Sequence, residues 1–95
     1  MNMRSIIQHE KVCYLCGISY PLEKHHCIHG TAGRRLADKY GLTVYLCPAC
    51  HRGSEGVHGK NGAWLDKKLK QTAQIAYEGK YGHEKWMEIF GKNYL

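Results

Sequence analysis

Apolar positions in the second half of the chain follow helical spacing. They recur at positions 65, 69, 73 and 76, with positions 64 and 77 beside them, which is the pattern of one buried helix face. We predict a helix across GAWLDKKLKQTAQIAYEGKYG that ends at Gly79 or Gly82, because glycine commonly follows the last helical turn. A second, short helix is predicted for HEKWMEIFG, with four large side chains facing inward: Trp86, Met87, Ile89 and Phe90.

The aromatic side chains of this half are interpreted mainly as core. Trp64 and Trp86 are expected to be buried rather than to serve as stacking surfaces for a ligand. The last residues, GKNYL, are expected to pack Tyr94 and Leu95 back against the body of the protein.

The first half has short apolar runs that are typical of strands. Leu42 to Leu46, LTVYL, is β-branched and aromatic and predicts a strand, and LEKHHCI is predicted to be extended. Between them, HGTAGRRLADKYG is a glycine-punctuated basic loop with room for a helical turn at RRLADKY. Pro48 suits a first helical turn, so PACHR is predicted to begin a helix. The order strand, loop, strand, helix indicates an α+β fold; SIIQ near the start fits either a strand or a helical turn.

Length and composition indicate one small domain that benefits from bound metal. The 95 residues form a single domain, 1–95, with a cysteine- and histidine-rich part, 1–60, and a helical part, 61–95. A chain of this length buries only roughly 60–65% of the surface that its unfolded form exposes, and structural metal is a common way to stabilise so small a core. There is no apolar run of about 20 residues and no secretory signal. We therefore expect a reducing cytoplasmic location, where paired cysteines are more often metal ligands than disulfides.

The charge of the chain suits a polyanionic partner. The formal net charge is +6, and it falls to about +4 if four thiolates bind one Zn²⁺. Such a balance favours nucleic acid as a partner. Excess lysine that only keeps the protein in solution is the alternative interpretation.

Two CxxC pairs predict a structural zinc site. Cys13 and Cys16 form the first pair, and Cys47 and Cys50 form the second. Two such pairs satisfy tetrahedral zinc, and closed coordination by four thiolates leaves no position for a substrate. Gly17 is free to adopt a positive φ after the first pair. The fifth cysteine, Cys27, is interpreted as a small buried apolar residue.

Four of the seven histidines carry the candidate chemistry: His25, His26, His51 and His58. His25 and His26 are adjacent on a predicted strand, so their side chains point to opposite faces and can take different roles. His51 directly follows Cys50, so a zinc ion that fixes this cysteine also fixes the histidine. The remaining three, His9, His29 and His83, are expected at ordinary surface, loop or helix positions.

The combination of these motifs resembles the HNH, or ββα-metal, nuclease superfamily. A strand with HH, a basic loop, a second strand and LCPACH opening a helix follow in the order of that motif, which paired CxxC knuckles brace in many members. The HH form is similar to the colicin nucleases and to small phage- or prophage-encoded HNH-like proteins. The resemblance covers roughly residues 13 to 58, and IFGKNYL extends the likeness to the phage-encoded proteins to the C-terminus. It implies a small, zinc-stabilised ββα-metal core with additional C-terminal helices.

The resemblance also implies a metal-dependent endonuclease that acts on DNA in a bacterial host cell. His26 would be the general base that activates water. His25 and His51, with His58 as a possible third, would bind a catalytic divalent metal such as Mg²⁺, Mn²⁺, Zn²⁺ or Ni²⁺. Phosphates would be held by basic residues between the strands: Arg34, Arg35 and Lys39.

The chain departs from the HNH pattern at two places. No Asn occurs between His26 and Cys47, and Thr43 or Asp38 is the candidate substitute. The last two histidines are seven residues apart, which an unbroken helix would separate by about 10 Å; glycines at positions 53 and 56 would have to end the helix early. The alternatives are a non-catalytic zinc module that binds nucleic acid or a protein, and a nuclease fold that keeps its metal but has lost turnover.

Overall fold

A computed structural model of the chain describes residues 4–95 and shows an α+β fold with a two-stranded sheet and four helices. The elements in chain order are β1 (Glu23–His26), α1 (Thr31–Tyr40), β2 (Thr43–Leu46), α2 (Pro48–Arg52), α3 (Ala63–Tyr81) and α4 (His83–Phe90). None of the helices in the described part of the chain is long and apolar enough to cross a membrane.

The sheet sets the position of the two adjacent histidines. β1 and β2 pair antiparallel, with His25 opposite Val44 and His26 opposite Thr43. The segment before β1 runs beside β2 without forming a strand or a helix, so SIIQ is neither of the predicted alternatives. Ser5 Oγ donates to the Thr43 carbonyl at 2.5 Å, and the Gln8 side chain accepts from Tyr45 N at 2.8 Å.

The predicted basic loop is mostly the ten-residue helix α1, which contains the helical turn predicted at RRLADKY. Gly30 (φ +83°) turns the chain after β1, and Gly41 (φ +73°) ends the helix in the left-handed conformation. Ala37 is fully buried in this helix, and the remaining positions include several good helix formers. The glycines that indicated a loop therefore lie mainly at the ends of a helix, and the order of elements is strand, helix, strand, helix.

The two C-terminal helices form a hairpin around an aromatic core. α3 ends at the residue before Gly82, one of the two predicted positions. Trp86 is fully buried and stacks on Phe90 with ring centroids 4.0 Å apart, and Tyr77 packs against both rings. Trp86 Nε1 donates to the carbonyl of Lys92 at 2.8 Å, which satisfies its one polar group. The second helix is thus confirmed, with Trp86 at its centre.

Two predicted core residues lie at the surface. Trp64 is 62% exposed and Leu95 is 55% exposed. Trp64 occupies the first turn of α3, where the buried stripe passes through Leu65 and Leu69, and its position on the helix turns it outward. Tyr94 packs against the core as predicted, and its backbone N–H donates to Gln74 at 2.7 Å.

Candidate metal centres

The four paired cysteines come together in a group with the dimensions of a zinc site. The sulfurs of Cys13, Cys16, Cys47 and Cys50 all lie within 4.8 Å of one another. Cys16 Sγ and Cys47 Sγ are 3.7 Å apart, and a zinc tetrahedron with Zn–S bonds of about 2.3 Å has edges of roughly 3.8 Å. Gly17 closes the first knuckle with φ +85°, as the sequence predicted, and its N–H donates to the Cys13 carbonyl at 2.9 Å. This group can hold a zinc ion.

The thiols of this group differ in how readily they ionise. Burial by itself raises the pKa of Cys13, but backbone N–H groups of Cys47 and Cys16 oppose it and lower this pKa to about 6. The pKa of Cys50 is raised, first by burial and then by the neighbouring cysteines. Several thiolates at such a short separation need a compensating positive charge, which a divalent cation supplies.

Cys27 lies outside this group. It is fully buried, and burial raises the pKa of its thiol to about 12. The structure therefore agrees with its interpretation as a small buried apolar residue.

A second group is formed by imidazoles from three separate parts of the chain. His25 on β1, His51 on α2 and His58 beyond α2 each place a ring nitrogen within 4.8 Å of the others. The His25 ring centroid is 5.2 Å from those of His51 and His58, and the latter two are 4.9 Å apart. The structure thus brings together all three residues that the sequence proposed as ligands of a second metal.

His25 is the innermost member of this group. It is 1% exposed, and neither of its ring nitrogens has a hydrogen-bond partner within the described chain. Burial, followed by the nearby rings of His29, His51 and His58, lowers the pKa of His25 to about 3. A neutral imidazole with a free lone pair is the form that binds a metal ion.

His51 is oriented by a carboxylate on the neighbouring strand. Its Nδ1 lies 2.7 Å from Glu23 Oε1, and Arg52 Nη2 lies 2.6 Å from the other oxygen of the same carboxylate. Arg52, and secondarily His51, lowers the pKa of Glu23 to about 2. With Glu23 ionised, His51 donates from Nδ1 and leaves Nε2 for another partner, the arrangement common in histidine ligands of metals.

A loop rich in glycine, residues 53–62 and called here the glycine loop, brings His58 back to His51. α2 ends at Arg52, and the N–H of His58 donates to the carbonyl of His51 at 2.9 Å. Glycines occupy every third position, and each of the last three donates to the carbonyl of the glycine before it, at 2.8, 2.9 and 3.1 Å: Gly53, Gly56, Gly59 and Gly62. A Cβ built on Gly59 would lie 1.8 Å from the Gly53 carbonyl oxygen, so only glycine fits. α2 therefore ends before His58, as a shared site for His51 and His58 requires.

His26 points away from the histidine group and contacts α1. Its Nε2 lies 3.0 Å from Asp38 Oδ1, and Lys24 Nζ lies 2.6 Å from the same oxygen. Lys24, and secondarily His26, lowers the pKa of Asp38. Of the two candidates for the missing Asn, Asp38 therefore contacts His26, whereas Thr43 lies opposite it on β2 and is buried.

Two of the three predicted phosphate-binding residues lie beside His26. A shallow depression of about 250 Å³ is lined by His26, Thr31, Arg34, Arg35 and Asp38. Lys39 is not part of its lining, and its ammonium lies 5.4 Å from the centroid of the Tyr40 ring.

The sequence missed two residues that border the histidine group. The His29 ring centroid lies 5.4 Å from that of His25 and 5.2 Å from that of His58, so His29 is not a solvated loop residue. Its Nε2 is 2.5 Å from Asp66 Oδ1 on α3. The position of His29 three residues after β1 was a weak signal, and Asp66, in a first helical turn 37 residues away, gave none.

A basic groove of about 1000 Å³ runs between the N-terminal segment, β2 and the end of α3. Its lining includes five basic side chains and, among the described residues, no acidic one: Arg4, His9, Lys11, Lys24 and Lys80. Lys24 and Thr43 connect it to the part of the sheet that carries His26. The groove is therefore a second positively charged surface that the sequence did not indicate.

Comparison of the chain with known protein families, with curated proteins and with solved structures finds no match.

Proposed function

We propose that this chain is a metal-dependent, HNH-type endonuclease that hydrolyses DNA phosphodiester bonds. The observation that carries the proposal is the convergence of His25, His51 and His58 beside a strand whose last residue is His26. Imidazoles gathered for a cation, and a further histidine on the opposite face of the same strand whose Nδ1 can take a proton, are the two parts that metal-assisted hydrolysis requires. The four-cysteine zinc site serves to fix α2 and its His51 in place.

The three imidazoles fit a second divalent ion. Nitrogen ligands suit Zn²⁺ and Ni²⁺. Both nitrogens of buried His25 lack a hydrogen-bond partner among the described residues, and a cation would bind the nitrogen that carries the lone pair. When bound, the ion supplies positive charge that stabilises the phosphate and the leaving oxygen.

His26 would act as the general base through its Nδ1. Because Lys24 keeps Asp38 ionised, that carboxylate accepts a hydrogen bond from His26 Nε2. This contact fixes the tautomer in which Nδ1 carries the lone pair, so Nδ1 can take a proton from the attacking water. Asp38 thereby does for His26 what the middle Asn does in the HNH pattern, namely hold the base in place.

Arg34 and Arg35 would hold the backbone phosphates. Both line the depression that contains His26, and guanidinium groups bind phosphate oxygens in pairs. The basic groove would continue this contact along the DNA on the side of Lys24.

The test is cleavage of supercoiled plasmid by the zinc-loaded protein with added Mg²⁺, Mn²⁺ or Ni²⁺. We expect nicking by the parent protein and a loss of roughly 10²–10⁴-fold in rate for His26→Ala. Asp38→Asn should slow nicking less, because the amide oxygen can still accept the hydrogen bond. The matched control is His83→Ala, since His83 also pairs with a carboxylate, Glu78 at 2.6 Å, but lies outside the histidine group. Nicking by His26→Ala at the parent rate would remove this residue from the mechanism.

The second candidate is a zinc module that binds nucleic acid without cleaving it. The basic groove favours it, because this surface needs no reactive group to bind a polyanion. It predicts salt-sensitive DNA binding and no nicking with any of the three metals.

A further inference from the structure

We propose that His29 is a fourth imidazole ligand of the ion held by His25, His51 and His58, and that Asp66 of α3 orients it. This inference rests on the metal site of the proposed function, but not on catalysis. It assigns a ligand from outside the three-histidine set and links the metal to the C-terminal helices.

The ring spacing is that of imidazoles around one ion. With metal–nitrogen bonds of about 2.1 Å, four tetrahedral imidazole ligands have ring centroids roughly 5 Å apart. Five of the six pairs within the set of four histidines have centroid distances between 4.9 and 5.4 Å, and His29 takes part in two of them. The sixth pair, His29 and His51, makes no ring contact among the described residues. His29 therefore belongs to the same cluster rather than to a separate surface.

Asp66 is placed to orient His29 rather than to bind the ion itself. Its Oδ1 contacts His29 Nε2 at 2.5 Å, and its Oδ2 contacts Lys70 Nζ at 2.8 Å. Both carboxylate oxygens are thus engaged. His29 Nδ1 has no hydrogen-bond partner within residues 4–95, so this nitrogen is available as a ligand.

The same construction occurs at His51. There Glu23 contacts Nδ1 and leaves Nε2, whereas at His29 Asp66 contacts Nε2 and leaves Nδ1. A histidine that gives one ring N–H to a carboxylate and the other nitrogen to a metal is the usual form of a protein metal ligand. The group His25, His29 and Asp66 shares only His25 with the first three-histidine group, so an ion bound at His25 would lie where the two groups meet.

Cobalt titration of protein that holds zinc only at the four cysteines, one ion per chain, tests this inference without DNA. The parent protein is expected to bind Co²⁺ with visible absorption bands that report its nitrogen ligands. His29→Gln should weaken Co²⁺ binding by about 10–100-fold and change the bands, because a ligand is lost. Asp66→Asn should weaken binding by about tenfold and keep the shape of the bands, because His29 is retained.

The control variants are His83→Gln and Glu78→Gln, which alter an exposed histidine–carboxylate pair and should leave Co²⁺ affinity and bands unchanged. His29 is about one-third exposed (32%), so its variant is expected to fold, which circular dichroism checks. Parent affinity and parent bands in His29→Gln would overturn the inference, as would a parent protein that binds no Co²⁺ at the histidines. A parent protein that binds Co²⁺ through His29 but does not nick DNA would contradict the nuclease alone.

Discussion

His25 is a side chain whose burial is unfavourable until something binds it. Its ring is almost fully enclosed, and both nitrogens lack a partner within the described chain. An unsatisfied buried polar group costs about 1–3 kcal/mol. A metal ion at the histidines would bind one of the two nitrogens and so remove part of this cost. Metal binding and folding should therefore be coupled at this one residue.

Replacing His25 by Leu tests that coupling. With zinc kept at the cysteines and no other metal added, His25→Leu should be as stable as the parent or more stable by about 1–2 kcal/mol, because an unsatisfied polar ring is removed. Added Ni²⁺ should raise the melting temperature of the parent but not that of the variant. Thermal denaturation with and without Ni²⁺ measures both effects, and equal stabilisation of the two proteins would contradict the assignment.

For single residues, the sequence predicted positions correctly where the residues concerned are adjacent in the chain. Cys50 and His51 are adjacent, so one knuckle places both a thiol and an imidazole. His29 and Asp66 meet only because the fold brings the segment after β1 to the first turn of α3, and no local pattern encodes a contact across 37 residues. Trp64 was misjudged because burial depends on the position of the first helical turn relative to the core, not on residue type.

The helix α2 depends on the four-sulfur group for its position. It has five residues, too few for a stable isolated helix. Cys47 precedes it, Cys50 lies within it, and both belong to the four-sulfur group. Its formation should therefore depend on the zinc ion, and His51 should lose its position when zinc is removed.

Removing one zinc ligand by Cys16→Ser is expected to release this part of the chain first. Cys16 is exposed, so the substitution disturbs packing little while it weakens the zinc site. Hydrogen exchange should speed up most at residues 13–17 and 47–58 and least at residues 69–81, which hold the buried centre of α3. Cys27→Ser, outside the metal group, is the comparison. Equal loss of protection along the whole chain would show that α2 does not depend on zinc in this local way.

Elements with a strong period were predicted well, and one element with mixed signals was not. The α3–α4 pair follows from its apolar spacing, and β2 follows from its β-branched run. α1 was predicted only in part, as a helical turn at RRLADKY, because Gly30, Gly33 and Gly41 were all interpreted as loop residues. Gly33 lies inside the helix, where a Cβ would stand only 3.1 Å from the Ile28 side chain, so close packing rather than a turn explains this glycine.

At the scale of the whole molecule, two positively charged surfaces lie next to the sheet. The basic groove and the depression around His26 both reach the same pair of strands, through Lys24 and His26. Counterion release from DNA makes binding at such surfaces depend steeply on salt. The placement of the charges in the groove follows from the folded path of the N-terminal segment and was not visible in the sequence.

Neutralising the groove should weaken DNA binding without abolishing metal binding. Arg4, Lys11 and Lys80 changed together to Gln should lower the slope of log affinity against log salt by about 2–3, at roughly 0.9 per lost phosphate contact. A matched set outside the groove, Lys67, Lys68 and Lys85 changed to Gln, should leave most of the slope intact. Fluorescence anisotropy of labelled DNA at several salt concentrations measures the slope. Equal slopes in the two triple variants would exclude the groove as the DNA surface.

The position of His58 depends on close backbone contacts within the glycine loop. Its successive turns leave space for a hydrogen atom but not for a methyl group at positions 56, 59 and 62. The seven residues from His51 to His58 therefore turn back, and the N–H of His58 donates to the carbonyl of His51. Seven residues would place the two imidazoles on different turns of a continuous helix. The glycines, which carry no side chain at the close backbone contacts, let the same seven residues bring them together.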